Sequence, residues 1–140
     1  MNFLPGIAST TSALSAERVR LDAIAQNIAN AHTTRGPDGK PYQRREVVFD
    51  SILTAAQQSN GNTAVPLLSA RVIKDPRPPV LVYDPGHRDA DAEGMVAMPD
   101  INIHQEMADL IMANRVYEAN LAVAKNARTL AMQTLAIGKR

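Results

Sequence analysis

The 140-residue chain contains no cysteine and no tryptophan, and it has only two Phe and three Tyr. The absence of cysteine excludes disulfides, thiolate metal sites and cysteine nucleophiles. Large core-filling side chains are scarce, whereas a compact globule of this length would normally carry more aromatic volume. We therefore expect a chain that buries thin helical seams, or that completes its core with partner chains.

An excess of one charge sign is also missing, since 15 Lys and Arg face 14 Asp and Glu. Nucleic-acid binders concentrate positive charge, but here it is scattered apart from Arg44, Arg45 and the pair Lys139 and Arg140. No apolar run approaches the roughly 20 residues that a membrane span needs. The N-terminal stretch lacks the basic and apolar regions of a cleaved secretion signal. The sequence thus predicts a soluble chain that contacts neither nucleic acid nor the membrane interior, and any export would not use a cleaved signal.

Near the N-terminus apolar residues recur every seven positions, at Ile7, Leu14, Leu21 and Ile28. Ile24 and Ala31 each follow three positions after a member of this set, which gives the 3–4 alternation of a coiled-coil seam. The pattern predicts a helix over residues 7–30. The first half of the seam is weak, because polar residues such as Glu17 occupy its second column.

The C-terminal third predicts a second and longer helix over residues 102–137, after Pro99 and with Asp100 or Asn102 as N-cap. One apolar column contains Ile103, Met107, Leu110, Tyr117, Leu121 and Ala124. A second column contains Val116, Val123, Leu130 and Ile137, each seven apart. The first column would pack against the N-terminal helix. The second either meets another subunit or joins the first in one broad face, as in a three-helix bundle.

The middle of the chain differs in kind, because it holds most of the prolines and glycines. The stretches "EVVFDSIL", "LLSARVIKD", "PVLVYD" and "GMVAMP" predict short strands bounded by turns such as "SNGN" and "DPGH". The predicted class is therefore α+β, with two long terminal helices forming a coiled-coil-like hairpin around a small, irregular, β-rich insert. We expect three parts, at residues 1–34, 35–98 and 99–140.

Asparagines lie within the predicted helices, and four of them are Asn27, Asn30, Asn114 and Asn120. Asparagine is unfavourable there because its amide competes for backbone hydrogen bonds. We interpret these amides as hydrogen-bonding across helix–helix contacts, where a paired polar group fixes the register. The simpler alternatives are that they face solvent, or that Asn30 helps to end its helix.

No arrangement of residues indicates catalysis, a cofactor or a metal ion. His32, His87 and His104 lack a second ligand at useful helical spacing. The stretch "DADAEG", residues 89–94, starts like a calcium loop but lacks its remaining ligands, so a solvated turn is expected. The acids on the helices, Glu106 among them, are also expected to face solvent. We predict that the chain is not an enzyme and needs no cofactor.

Three blocks of the sequence resemble the bacterial flagellar axial proteins, and within them the FlgC family of proximal rod proteins. The first, "ALSAERVRLDAIAQNIANAHTT", contains the N-I-A-N signature followed by Thr. The second is "GPDGKPYQRREVVF", and the third is residues 89–139, with its E-M, R-x-Y-E-A-N and A-I-G-K elements. His32 and Met95 depart from the usual residues of the family.

The resemblance implies a structural subunit of the proximal rod in the flagellar basal body, in the periplasm. Such subunits are exported unfolded through the flagellar type III apparatus, and their terminal helices form the inner tube that transmits torque. The implied partners are copies of the chain and rod proteins of the FlgB, FlgF and FliE kinds, close to the MS-ring and the export gate. The subunit contacts would lie at Leu14, Leu21, Ile24, Asn27, Ile28, Asn30, Leu110, Asn114, Val116, Tyr117, Asn120, Leu121, Val123, Leu130 and Ile137.

Three other functions fit the same residues. A secreted helical adaptor would grip one client and form a finite complex. A different rod member, such as FlgB, would share the N-I-A-N signature. A small metal-dependent enzyme would use His32, His87 and the pair Asp89 and Asp91.

Overall fold

The computed structural model describes residues 4–53 and 66–138. Helix α1 spans Leu4–Ala29 and helix α2 spans Ile103–Ile137, close to the predicted ranges. Four strands lie between them, so the predicted α+β class is confirmed. The side chain of Ile7 and the predicted "SNGN" turn lie outside the described residues. Within the described part of the chain, neither helix has a stretch apolar enough to cross a bilayer.

The start of α2 is fixed by Asn102 and not by Asp100. Asn102 adopts an extended backbone, with φ −90° and ψ 104°. Its side-chain oxygen accepts hydrogen bonds from the N–H groups of His104, at 3.1 Å, and Gln105, at 3.3 Å. These N–H groups have no partner inside the helix, so the cap satisfies two of them.

The strands form two separate antiparallel hairpins. Strands β1 (Arg45–Leu53) and β2 (Pro66–Lys74) pair along their whole length, from Arg45 opposite Lys74 to Leu53 opposite Pro66. This sheet packs against α1. Strands β3 (Val80–Tyr83) and β4 (Met95–Met98) pair only with each other.

Helices α1 and α2 pack antiparallel. The last turn of α1 meets the first turn of α2, where Asn27 hydrogen-bonds to Glu106. From this point burial continues back along α1 as far as Ala16 and forward along α2 as far as Ala113. Only the antiparallel arrangement keeps both helices in contact over that length.

The seam between the helices is built from small and polar side chains. The buried residues of α1 are Ala16, Glu17, Ala23, Ile24 and Asn27, those of α2 are Glu106 and Ala113, and Ala31 is buried just beyond the end of α1. Half-buried residues of α2 continue it at a 3–4 spacing, through Leu110, Tyr117, Asn120, Ala124, Ala127 and Ala131. The seam therefore has coiled-coil spacing but little apolar bulk, since alanine offers one methyl group.

The prediction that the first apolar column of α2 packs against α1 is wrong for two of its residues. Met107 is 52% exposed and Leu121 is 36% exposed, whereas the seam runs through Glu106 and Ala113. The prediction followed the largest apolar side chains. Helix α1 instead covers the face with the smallest residues, because small side chains let the two backbones approach closely.

A substitution at Gly94 tests whether the stability of the short β3–β4 hairpin depends on its turn. The φ of Gly94 is +77°, and a Cβ there would lie 3.0 Å from Cε2 of Tyr83 and 3.1 Å from Cβ of Pro85. We expect Gly94→Ala to make the Asp84 amide, which donates to the Gly94 carbonyl at 2.9 Å, exchange with deuterium about tenfold faster or more.

Gly39→Ala is the matched control for this change. Gly39 also has a positive φ, +74°, but a Cβ there would meet nothing within 4 Å. It should strain its own loop and leave exchange at Asp84 as in the wild type. Unchanged exchange in Gly94→Ala would show that the turn tolerates the added methyl group.

Candidate subunit interface

The amide of Asn27 joins α1 to β1 and α2. Its nitrogen donates to the carbonyl of Arg45, at 2.8 Å, and to Oε2 of Glu106, at 3.1 Å. Its oxygen accepts from the N–H of Arg45, at 2.8 Å, and from the hydroxyl of Tyr42, at 3.1 Å. All four hydrogen bonds that an amide can make are present, and Asn27 is only 1% exposed. The Asn27 amide thus pairs with both backbone groups of Arg45, as the backbone of a neighbouring β-strand would.

Glu106 is a buried carboxylate with a partner at each oxygen. Oε1 accepts from Nε of Arg44 at 2.7 Å, and Oε2 accepts from Asn27. A buried charge is tolerated only when it is paired and hydrogen-bonded. The sequence prediction that Glu106 faces solvent is therefore wrong, because Arg44 and Asn27 take the place of water.

Asp75 continues the same cluster beyond the end of β2. Its carboxylate accepts from Arg77 Nη2 at 2.7 Å and Nε at 2.9 Å, and it lies 3.6 Å from a guanidinium nitrogen of Arg44. Hydrogen bonds from Arg77, from its side chain and then its backbone N–H, lower the pKa of Asp75 from 3.8 to about 2. Arg77 also contacts Asp100 at 2.8 Å, beside the start of α2. We call Asn27, Arg44, Asp75, Arg77 and Glu106 the helix–insert junction.

Tyr42 is a half-buried neighbour of this junction. Its hydroxyl donates to Asn27, and the guanidinium of Arg45 lies 5.9 Å from the centre of its ring. Burial raises the pKa of Tyr42, although Arg45 acts in the opposite direction. The phenol therefore stays protonated over a wider pH range and keeps its role as donor.

The outer surface of α2 has the opposite composition from the seam. At 100° per residue, two apolar flanks lie about 100° to either side of the seam face. The first flank contains Val116, Val123, Leu130 and Ile137, and the second contains Met107, Ile111, Leu121 and Met132; all eight side chains are exposed. Large apolar residues thus point away from the only other helix among the described residues. Exposed apolar stripes of this length mark interaction surfaces.

The structure places the predicted contact residues in two groups. Those that lie wholly or partly buried are Leu14, Leu21, Ile24, Asn27, Ile28, Asn30, Leu110, Tyr117 and Asn120. Those that are exposed are Asn114, Val116, Leu121, Val123, Leu130 and Ile137. Their contacts with other subunits stay a prediction.

The four asparagines have different environments. Asn27 makes a hydrogen bond across a helix–helix contact, as expected, but to a residue of its own chain. Asn30 donates to the carbonyl of Gln26 at 2.9 Å and accepts from the hydroxyl of Thr33 at 3.2 Å, so it helps to end α1. The side chains of Asn114 and Asn120 make no hydrogen bond to any residue that the structure describes, which leaves their amides open to other chains.

The acidic turn after β3 is held against the segment that follows α1. Asp89 accepts a hydrogen bond from the hydroxyl of Thr34 at 2.9 Å and lies 3.6 Å from a guanidinium nitrogen of Arg35. Asp91 accepts from the N–H groups of Glu93 and Met95 and closes the turn on itself. Over residues 4–53 and 66–138, no group of three or more His, Asp and Glu side chains is placed to hold a metal ion.

The sequence analysis did not predict that Arg44, Asp75 and Glu106 interact. They are 62 residues apart at most in the chain, and nothing in their local spacing connects them. A usable signal was the mismatch at Asn27, whose unfavourable position within a helix indicated a partner elsewhere.

Asn27→Leu should destabilise the purified chain. It removes the partners of the Arg45 N–H and carbonyl groups and one partner of Glu106, and a buried unpaired polar group costs about 1–3 kcal/mol. We expect a loss of about 3 kcal/mol or more in the free energy of unfolding, measured by urea denaturation.

Asn30→Leu is the control, because its hydrogen bonds are local and the one to Gln26 is exposed. We expect a loss below about 1 kcal/mol. An equally small loss in the free energy of unfolding in both variants would mean that the junction does not stabilise the chain.

Acid should weaken the junction through Asp75. Its pKa in the folded chain lies below the ordinary value, so its stabilising effect is complete above about pH 4 and is lost as the pH falls toward 2. The shift from 3.8 to about 2 corresponds to about 2 kcal/mol. The Asp75→Asn chain should therefore lose about 2 kcal/mol less stability than the wild type over this pH range.

Asp50→Asn is the comparison, because Asp50 is 53% exposed and lies 3.8 Å from Arg71 in a surface ion pair. Such pairs contribute little, so its pH profile should follow that of the wild type. An Asp75→Asn profile parallel to that of the wild type would exclude Asp75 as the titrating group.

Two family models match the ends of the chain. Residues 7–37 match the model described as flagella basal body rod protein, and residues 92–137 match the C-terminal model of the flagellar basal body rod proteins FlgEFG. The two matches include α2 and nearly all of α1. They also include Asn27 and Glu106, whose side chains meet in the junction.

Relatives along nearly the whole length are flagellar basal-body rod proteins FlgC. The protein from Yersinia enterocolitica is 41% identical over 128 residues, covering 91% of this chain and 92% of the relative. The Salmonella typhimurium protein is 40% identical with the same coverage, and the Bacillus subtilis protein is 36% identical over 93% of this chain and 94% of its own length. The resemblance found in the sequence is confirmed: the chain belongs to the FlgC family of flagellar basal-body rod proteins and is a structural subunit of the rod.

Proposed function

We propose that this chain builds the proximal part of the rod by stacking side by side through α1 and α2. Copies of the hairpin would form the wall of the export channel and transmit torque along the rod. The observation that carries the proposal is the distribution of residues on α2, with alanine and polar groups against α1 and large apolar groups outside.

The exposed first flank gives this proposal its physical basis. Leu130 is 57% exposed and Ile137 is 77% exposed. Covering an apolar side chain of this size contributes about 1.5–3 kcal/mol when burial is complete. Repeated along each copy in a ring or helix of subunits, such contacts would hold the wall together. The narrow seam would leave most of the apolar burial to contacts between copies.

The chain divides, on this proposal, into an axial part and an insert. Residues 1–34 and 99–140 would supply the tube wall, and residues 35–98 would lie outside it. The helix–insert junction supports this division, because Arg44 of the insert is hydrogen-bonded to Glu106 and Arg77 of the insert forms an ion pair with Asp100. The bonds make the insert a rigid attachment to the helices, which a subunit under torsional load requires.

The proposed role is structural and not enzymatic, and the partners are other parts of the basal body. Neighbours of the FlgB, FlgF and FliE kinds, besides further copies, are expected because the resemblance implies them. The same resemblance supports passage through the flagellar type III apparatus and a place near the MS-ring and export gate. Binding of nucleic acid is not part of the proposal, since the charge is balanced.

Val123→Asp tests the stacking surface. Val123 is 55% exposed, so the substitution should leave the monomer folded, but in the wall it would bury an unpaired carboxylate. We expect loss of swimming and of complete rods in electron micrographs of basal bodies, while the chain is still produced and exported.

Ala122→Asp is the matched control, because Ala122 is the exposed neighbour and lies about 100° further from the seam. It should swim nearly as well as the wild type. Normal rods in the Val123→Asp strain would show that the first flank does not contact another subunit.

A further inference from the structure

The β3–β4 hairpin presents an apolar strand that nothing else in the described chain covers. Among the described elements, β3 and β4 contact only each other. The four residues of β3 are Val80, Leu81, Val82 and Tyr83, with exposures of 46%, 60%, 39% and 69%. Side chains alternate between the two faces of a strand. Val82 lies opposite the fully buried Val96 of β4, so the open face of β3 is that of Leu81 and Tyr83. A two-stranded hairpin of this size is marginal in water by itself.

The hairpin is also acidic. Residues 80–98 contain Asp84, Asp89, Asp91 and Glu93 against the single cation Arg88, which gives −4 + 1 = −3. Asp89 is partly neutralised by Arg35. Glu93 is exposed and its side chain has no partner within the described chain. A surface that covers β3 should therefore combine apolar and basic groups.

The second flank of α2 has this combination in its C-terminal half. Leu121, Lys125, Arg128, Met132 and Leu135 follow one another at spacings of four, three, four and three, so they share one helix face. All five are exposed. Residues 119–138 contain two cations and no acid, a net charge of +2. Neither Lys125 nor Arg128 forms an ion pair with a described residue. We call these five residues the basic stripe.

We propose that the β3–β4 hairpin of one copy docks on the basic stripe of α2 in a neighbouring copy. This inference rests on the proposed function, since it names one contact through which the copies stack. The apolar side chains of Leu81 and Tyr83 would pack on Leu121, Met132 and Leu135. Glu93, with the free oxygens of the acidic turn, would face Lys125 and Arg128.

The dimensions of the two surfaces agree. The basic stripe extends over about 21 Å from Leu121 to Leu135, at 1.5 Å per residue. Strand β3 covers about 13 Å at 3.3 Å per residue, and the acidic turn lengthens the hairpin beyond it. Each partner therefore has apolar and charged groups side by side over comparable distances.

The contact must form between copies, because within one chain neither β3 nor β4 touches α2. It joins two different patches of the same molecule and is therefore heterologous. Heterologous contacts generate rings when they close and helical filaments when they do not. The first flank remains free for the helix–helix contact, so the two interfaces do not compete.

Cysteine cross-linking in isolated basal bodies tests the proposal. The chain has no native cysteine, so each introduced thiol is unique. We expect the Leu81→Cys, Met132→Cys double variant to yield a ladder of disulfide-linked dimers and larger oligomers on mild oxidation, in most of the rod-bound chain, because a heterologous contact links each copy to a neighbour on either side. Each single variant should yield none through this contact. The control is Leu81→Cys with Met112→Cys, because Met112 is 60% exposed and Met132 is 62% exposed, but Met112 lies on the side of the first flank.

Three results would overturn the proposal. They are rods that contain the first pair without disulfide-linked oligomers, equal cross-linking from the control pair, and a cross-link from Leu81→Cys to a different rod protein. Absence of the wild-type chain from purified rods would be a different result, and it would contradict the proposed function as well.

A charge exchange keeps the proposal testable if the cysteine variants do not enter the rod. Lys125→Glu and Glu93→Lys should each lower incorporation into basal bodies by about tenfold, equivalent to about 1.4 kcal/mol. Together they should restore most of it, because the attractive pair is rebuilt in reverse. If the double variant incorporates no better than either single one, the two residues do not face each other and the contact is refuted.

Discussion

The amide of Asn27 is the contact on which the rest of this structure depends. It occupies the one point where α1, β1 and α2 meet, and it uses every donor and acceptor it has. Because it pairs with both backbone groups of Arg45, it sets where β1 begins relative to the helices. Because it also binds Glu106, it sets the register of α2 against α1. One side chain thus fixes the relative positions of three elements that have little apolar burial between them.

The elements themselves were readable from the sequence, but their packing was not. Heptad spacing predicted both helices to within three residues at each end, and β-branched runs between turns predicted all four strands. The face of α2 that meets α1 was predicted only in part, because Leu110, Tyr117 and Ala124 lie in the seam whereas Met107 and Leu121 are exposed. Local sequence patterns reveal the period of a helix or strand, but they do not reveal which residues it packs against. The pairing of Glu106 with Arg44, 62 positions away, arises only when the fold brings them together.

The positions of the large apolar side chains fit the requirements of a rod subunit. A monomeric helical hairpin would place leucine and isoleucine between its helices and polar groups outside. Here alanine and hydrogen-bonded polar groups occupy the seam, so specificity within the chain comes from directional bonds. The large apolar side chains lie on the outside, where the proposed contacts between copies would cover them. Membership of the FlgC family gives this inverted arrangement a purpose.

The exposed flanks of α2 also constrain how the cell handles the chain before assembly. On the proposed stacking, a free subunit exposes the apolar stripe that an assembled one would cover, so chains present in excess would associate with one another by mass action. Synthesis faster than consumption would then produce off-pathway clusters instead of a usable reserve. The supply of this subunit would have to match its use in assembly, and that requirement would come from the helix surface itself.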